Sequence, residues 1–263
     1  MAPGARGLVN WFRRSRVQSA ELFPDQWASF GTDDSAHYRR LPGRLQTAFE
    51  SDVQRFIAKQ RITGVAMKVD DPLRLLVAAS AATLSVGWPG YKWSEVSEVL
   101  LYPDDFDRDY VIGRPELGGM AHVWGTVILS VPSLRHSFAY YEDAYHVGLH
   151  EFAHLLTYER GQQIKVPVGL PPAQIQLWEA IEARELKRVA GGESIVDPYI
   201  LHPSEFFPCA VEAFFQKPIE LQEVHRRLYR FLSRYFHQSP ALWESRFRAR
   251  AVRSPRYKFP TGR

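Results

Sequence analysis

Tyr145-His146-Val147-Gly148-Leu149-His150-Glu151-Phe152-Ala153-His154-Leu155-Leu156-Thr157-Tyr158 is the stretch from which the fold can be read. Apolar Tyr145, Leu149, Phe152 and Leu156 recur at helical spacing, and His146, His150, His154 and Thr157 form the adjoining face. The pattern predicts a helix starting around residues 141–143 and running to about 158–159. Within it, His150-Glu151-Phe152-Ala153-His154 has the form H-E-x-x-H. Histidines at i and i+4 share a face about 6 Å apart along the axis, so one Zn²⁺ at ~2.0–2.1 Å from each can join them. Glu151 points about 100° away from His150, towards a water at the metal rather than the metal itself, where a general base is wanted. The competing reading is an amphipathic helix that carries two histidines by chance.

Composition narrows the class. The chain has 263 residues, 45% hydrophobic and 24% charged, as expected of a soluble globular protein with ample core. Aromatic residues reach 13%, enough for a bulky core or an aromatic-lined cleft. Cys209 is the single cysteine. It allows no intrachain disulfide and no thiolate zinc site, so histidines and carboxylates remain as ligands. The first twenty residues hold arginines but no apolar core of a secretory signal, and no run approaches the ~18 apolar residues of a membrane span. The expectation is a cytoplasmic protein without membrane attachment.

The formal charge of +4 is modest, and basic residues gather at both ends: Arg6, Arg13, Arg14 and Arg16, then Arg246, Arg248, Arg250, Arg253, Arg256, Lys258 and Arg263. Solvated tails explain them. Nucleic-acid binding would need a recognition motif, and the sequence offers none. The chain therefore divides into a variable leader, 1–40, a domain, 41–240, and a basic tail, 241–263.

Within the domain, Leu45, Phe49, Val53, Phe56 and Ile57 mark a helix over 41–59. Residues 62–69 read as extended or turn. Asp71-Pro72 opens a buried helix, with Asp as N-cap, that carries Leu73 to Val86. Val96–Tyr102 and Val123–Val131 read as strands, the second with Gly125 inside it, which marks a bulge or a close backbone neighbour. A strand just before such a helix is also where a peptidase can hold an extended substrate by strand addition. An ordinary core strand is the equal alternative.

A catalytic zinc needs a third protein ligand and an open position. Thr157 and Arg160 occupy the Gly and His places of the longer metzincin motif, which excludes that class. His146 stands about 12 Å along the axis from His154, too far to share the metal, and is assigned a supporting or packing role. Two carboxylate sets remain. One is Glu179, Glu182 and Glu185 on a helix over 174–190. The other is Glu205, in the first turn of a helix opened by Pro203, with Glu212 two turns further on the same face. Spacing does not choose between them.

The chain resembles the Mlc titration factor A family of bacterial zinc peptidases, whose metal centre is similar to that of the anthrax lethal factor catalytic domain. The resemblance runs from about residue 41 to 240. It rests on Phe56-Ile57-Ala58-Lys59, Val99-Leu100-Leu101-Tyr102-Pro103, Gly125-Thr126-Val127-Ile128-Leu129-Ser130, the H-E-x-x-H, Asp197-Pro198-Tyr199, and Pro203-Ser204-Glu205-Phe206-Phe207 through Glu212-Ala213-Phe214-Phe215. It implies an α+β fold, a mostly helical zincin-like metallopeptidase domain with a small mixed or antiparallel sheet beside the H-E-x-x-H helix. It further implies His150, His154 and Glu205 as zinc ligands, Glu151 as catalytic base, and Tyr199 near the metal as a hydrogen-bond donor to a developing oxyanion. The expected activity is aminopeptidase-like hydrolysis of a peptide substrate. The alternative is a regulatory protein that sequesters a ROK-type transcriptional repressor of sugar transport.

The chain also departs from the family. Leu155 and Thr157 replace a Lys and an Asp after the motif, and Glu212 is the candidate to orient a ligand histidine in place of that Asp. Pro208 should kink its helix. The gap from Tyr199 to Glu205 is one residue shorter than the family's. Cys209 reads as small core filler.

Overall fold

The computed structural model describes residues 35–141, 144–196 and 202–253. Its scaffold begins with α1 (Ala36–Arg40) and α2 (Gly43–Lys59), then β1 (Ile62–Gly64) and the buried helix α3 (Asp71–Ser85). The α3 N-cap is Asp70, one residue before the expected one, and its carboxylate accepts the Leu73 N–H at 2.9 Å. Every residue from Leu75 to Ser85 is buried.

Two strands follow, β2 (Glu98–Tyr102) and β4 (Thr126–Ser130), with β3 (Gly119–Ala121) between them in sequence. The sheet order is β1-β2-β4-β3, parallel except for the antiparallel β3–β4 pair, so the sheet is mixed. Leu129 and Val127, with Val99 and Leu101 of β2, face the helical core. Tyr102 and Ile128 face the other way and pack with Phe106 of the 103–117 loop into a second, smaller cluster.

This changes the expectation for the strand before the motif helix. It starts at Thr126, Gly125 lies in the turn leading into it, and it is interior, paired on both sides. The edge on that side belongs to β3, whose three residues lie in the Asp- and Gly-rich stretch that reads as loop. Three residues with two of them Gly and Ala carry no strand signal of their own.

α4 (Val131–Ala139) leads to the motif helix α5 (Val147–Leu155). It is shorter than the apolar spacing predicts. His146 caps it through Nδ1, which accepts the Leu149 N–H at 3.2 Å, and Ala144 just before has φ of 64°, outside the helical region. Tyr145 therefore stands off the helix, while Leu149, Phe152 and Leu156 are buried as expected. Gly148 lets α5 lie directly on α3, because a Cβ there would fall 2.2 Å from Ser80 Oγ.

A β5–β6 hairpin (Tyr158–Glu159, Gln162–Gln163) and α6 (Pro172–Ala190) come next. A 3₁₀ turn (Pro203–Glu205) then runs into α7 (Phe206–Gln216). Because α7 starts at Phe206, Pro208 sits in its first turn, where its missing N–H has no intrahelical acceptor to lose, and the helix continues to Gln216. α8 (Pro218–Val224), α9 (Arg226–Tyr235) and α10 (Pro240–Arg253) complete the described chain.

The aromatic residues are largely spent on a core: Trp88, Phe207, Phe214, Phe215 and Tyr235 all lie within 6.4 Å, ring to ring, of Phe236. The stretch read as a basic tail opens with α10, which buries Ala241, Trp243 and Glu244 beneath its arginines. Glu244 pairs with Arg40 of α1 and Arg248. Arginine density on the exposed side hides the short apolar side from a sequence reading. The fold is a mostly helical α+β domain, and no described helix is long and apolar enough to cross a membrane.

Candidate metal centre

α5 and α7 pack against each other and bring the site together. His150 and His154 project from α5 with ring centroids 5.0 Å apart. Their Nε2 atoms lie 3.1 and 3.3 Å from one atom, Oε2 of Glu205. Ligands bound tetrahedrally at ~2.0–2.1 Å are separated by about 3.3 Å, so the spacing fits a single ion among the three donors. Glu205 is aimed from below: His202 Nδ1 accepts the Ser204 N–H at 3.3 Å, capping the 3₁₀ turn, and Ser204 Oγ donates to Glu205 Oε1 at 3.3 Å.

Glu212 stands behind His150. Its Oε2 is 2.8 Å from His150 Nδ1, and its Oε1 accepts the His146 N–H at 2.6 Å. One carboxylate thus holds both the imidazole and the N-terminus of its helix. Bonding at Nδ1 fixes the ring so that Nε2 faces Glu205, where a metal would take its lone pair. His146 is not in the donor group; it is a buried cap that packs on Phe138, and burial pushes its pKa down to about 3, which keeps Nδ1 an acceptor. Cys209 is more than filler, since its Sγ, His150 and Glu212 form a second close donor triplet on the buried side of the same ring.

His154 is supported differently. Its Nδ1 is buried without a hydrogen-bond partner among the described residues, and Thr157, in the place of the family's Asp, donates its hydroxyl to the His154 carbonyl instead. Tyr158 stacks over the ring at 6.1 Å and 19° and donates to the Ala121 carbonyl at 3.1 Å. Sequence reasoning gave Tyr158 no role, though its spacing of four from His154 was a usable signal. Burial, then the charges of Glu151 and Glu205, push its phenol up to about 12.

Glu151 is buried between the histidines and β3; a Cβ on Gly119 would lie 2.8 Å from its Oε1. Burial raises its pKa, the histidines pull against that, and Glu205 and Glu212 add to it. Burial opposes ionisation of Glu205 too, but hydrogen bonds from His150 and His154 win and hold it well below the carboxylate range. For His150 burial is likewise outweighed, by Glu212, Cys209 and Glu205, so its pKa lies well above the usual value. The group opens onto a cleft of about 710 Å³ lined also by Arg108, Met120, Gln163 and His202.

The other carboxylate set is elsewhere. Glu185 is buried against His225 Nδ1 at 2.6 Å, and Glu182 is raised to about 7 by burial and then Glu179. Among the described residues, Glu205 alone forms a close donor group with both motif histidines. Tyr199 lies outside the described residues.

Residues 9–237 match the family described as glucose-regulated metallo-peptidase M90. The chain belongs to this family. It is 27% identical to an uncharacterized protein of Synechocystis sp. over 254 residues, which covers 90% of this chain and 92% of the other. It is 29% identical to Mlc titration factor A of Pectobacterium atrosepticum over 176 residues, 59% of this chain and 65% of that one. Membership makes this M90 protein a metallopeptidase, and its His/Glu group is a candidate site for the metal.

Proposed function

We propose that this M90 protein is a zinc-dependent, aminopeptidase-like hydrolase of peptide bonds, acting in the cytoplasm, with His150, His154 and Glu205 as the metal ligands. The observation that carries the reading is the convergence of two Nε2 atoms on one Glu205 oxygen beside the buried Glu151. Two imidazoles and a carboxylate are one of the donor sets of catalytic zinc, which keeps a fourth position open. When bound, zinc supplies Lewis acidity to the scissile carbonyl and to water.

The chain's own groups do the rest. Glu151, a carboxylate with a raised pKa, takes the proton of the attacking water and returns it to the leaving amine. Glu212 keeps His150 in the tautomer that presents Nε2. Tyr199, by family resemblance, donates a hydrogen bond to the carbonyl oxygen as charge develops. The edge of β3 beside Glu151, which has no strand partner among the described residues, suits an extended substrate backbone.

The test is Glu151→Gln. The variant should keep one metal per chain and lose about 10²–10⁴-fold in turnover of a peptide; undiminished hydrolysis would overturn the mechanism. A second reading, sequestration of a ROK-type repressor, is favoured by the kinship with a protein named Mlc titration factor A. Recovery of such a repressor in equal amounts with and without chelator would support binding independent of catalysis.

A further inference from the structure

An unusual aromatic surface lies beyond the metal centre, at the end of β3. Trp124, in the β3–β4 turn, is 65% exposed, and its ring lies flat on His122 at 4.4 Å and 6°. Tyr110, 42% exposed, reaches His122 Nε2 at 3.3 Å and Met120 Sδ at 3.7 Å through its hydroxyl. Tyr110 has φ of 63°, a left-handed conformation that a non-glycine residue rarely adopts. Its ring is nearly parallel to Phe106 beneath it, in the small cluster on the outer face of the sheet. Burial lowers the His122 pKa, which favours the uncharged ring beneath the indole.

Strand geometry connects this shelf to the cleft. Gly118 accepts from Ser130 N–H and His122 N–H donates to Thr126, so the even positions of the strand bond to β4. The N–H and C=O groups of Gly119 and Ala121 therefore point to the opposite edge. Among the described residues that edge has no strand partner, and the Ala121 carbonyl is reached there by Tyr158. Side chains alternate as well. Gly119 faces Glu151, so Met120 and His122 face the other side of the sheet, where Tyr110 and Trp124 stand. Met120 also lines the cleft, so one residue of β3 borders both the shelf and the cleft of the metal centre.

We propose that the Tyr110–His122–Trp124 shelf is a specificity subsite for a bulky aromatic or apolar side chain of the peptide substrate. This rests on the peptidase reading above. A peptide lying along β3 sends alternate side chains to the outer face, about 5 Å from those of Met120 and His122. His122 is three residues from Gly119, about 10 Å along the strand. The recognised side chain is thus some three residues from the scissile bond, and the enzyme reads oligopeptides rather than dipeptides.

The test uses metal-loaded Glu151→Gln protein and fluorescent heptapeptides with Trp, Ala or Asp scanned through each position, with affinity read by anisotropy. Trp at one position about three residues from the bond cut by the wild type should bind about tenfold tighter than Ala. Trp124→Ser should remove that preference and leave affinity for the all-Ala peptide unchanged. The same panel is then given to wild-type enzyme for turnover. Positional preference without any turnover would sink the peptidase reading and keep the shelf. Turnover with no positional preference, or equal loss for all peptides in Trp124→Ser protein of unchanged melting temperature, would overturn the shelf.

Discussion

His150 and His154 rise from one helix towards one carboxylate oxygen, yet their far sides differ. Behind His150 the ring nitrogen meets Glu212 at 2.8 Å, and the same carboxylate takes the backbone of His146. Behind His154 the ring nitrogen has no partner among the described residues, and the ring is held by packing under Tyr158. One donor is aimed by a charged hydrogen bond, the other by its neighbours' shape. The difference follows from position: His150 faces the buried helix α7, while His154 sits where the helix ends and the hairpin of Tyr158 begins.

Removing the shared target should have the largest effect. Glu205→Ala leaves two imidazoles, and elemental analysis should show well under one metal per chain with peptidase activity abolished; a fully loaded variant would mean that another carboxylate completes the site. The next effect tests the buried layer beside His146. It includes His37, packed on Phe215 and held down to about 3 by burial, then by Arg40 and His146. A folded pKa below the unfolded 6.5 means that the unfolded chain binds more protons between these values. Stability is then present above about pH 6.5 and lost as pH falls towards 3, by at most about 5 kcal/mol. His37→Gln should flatten that part of a melting-temperature profile, and an unchanged slope would rule His37 out as the cause.

Smaller effects discriminate between the two rings. Glu212→Gln should weaken metal affinity about 10–100-fold, measured by competition with a chelator. Tyr158→Phe should cost only about 0.5–1.5 kcal/mol of stability through the lost bond to Ala121, with metal affinity little changed. If Tyr158→Phe loosened the metal as much as Glu212→Gln, the contrast between an aimed and a packed histidine would fail.

Much of this was legible in advance where chemistry and spacing coincide. The i, i+4 histidines, the Glu205–Glu212 spacing of two turns and the buried α3 each follow from a helical period. The period could not end the motif helix, because His146 terminates it through a side-chain bond that leaves no trace in an apolar pattern. It could not reveal β3 either, since Gly119, Met120 and Ala121 become a strand only by pairing with β4. Nor could it separate α10 from a basic tail, because the two buried apolar residues, Ala241 and Trp243, are outvoted by the arginines on the other side.

By itself, then, the sequence determined which atoms are available for chemistry: two imidazoles on one helical face, a carboxylate between them, and a choice of remote glutamates. The family resemblance points to Glu205, and the tertiary structure brings that carboxylate beside both imidazoles. α7 packs on α5 while α6 turns Glu185 towards His225, so Glu205 meets both histidines and Glu185 does not. The physical reason is that a helix period specifies which residues share a face, whereas the burial of whole faces decides which faces meet.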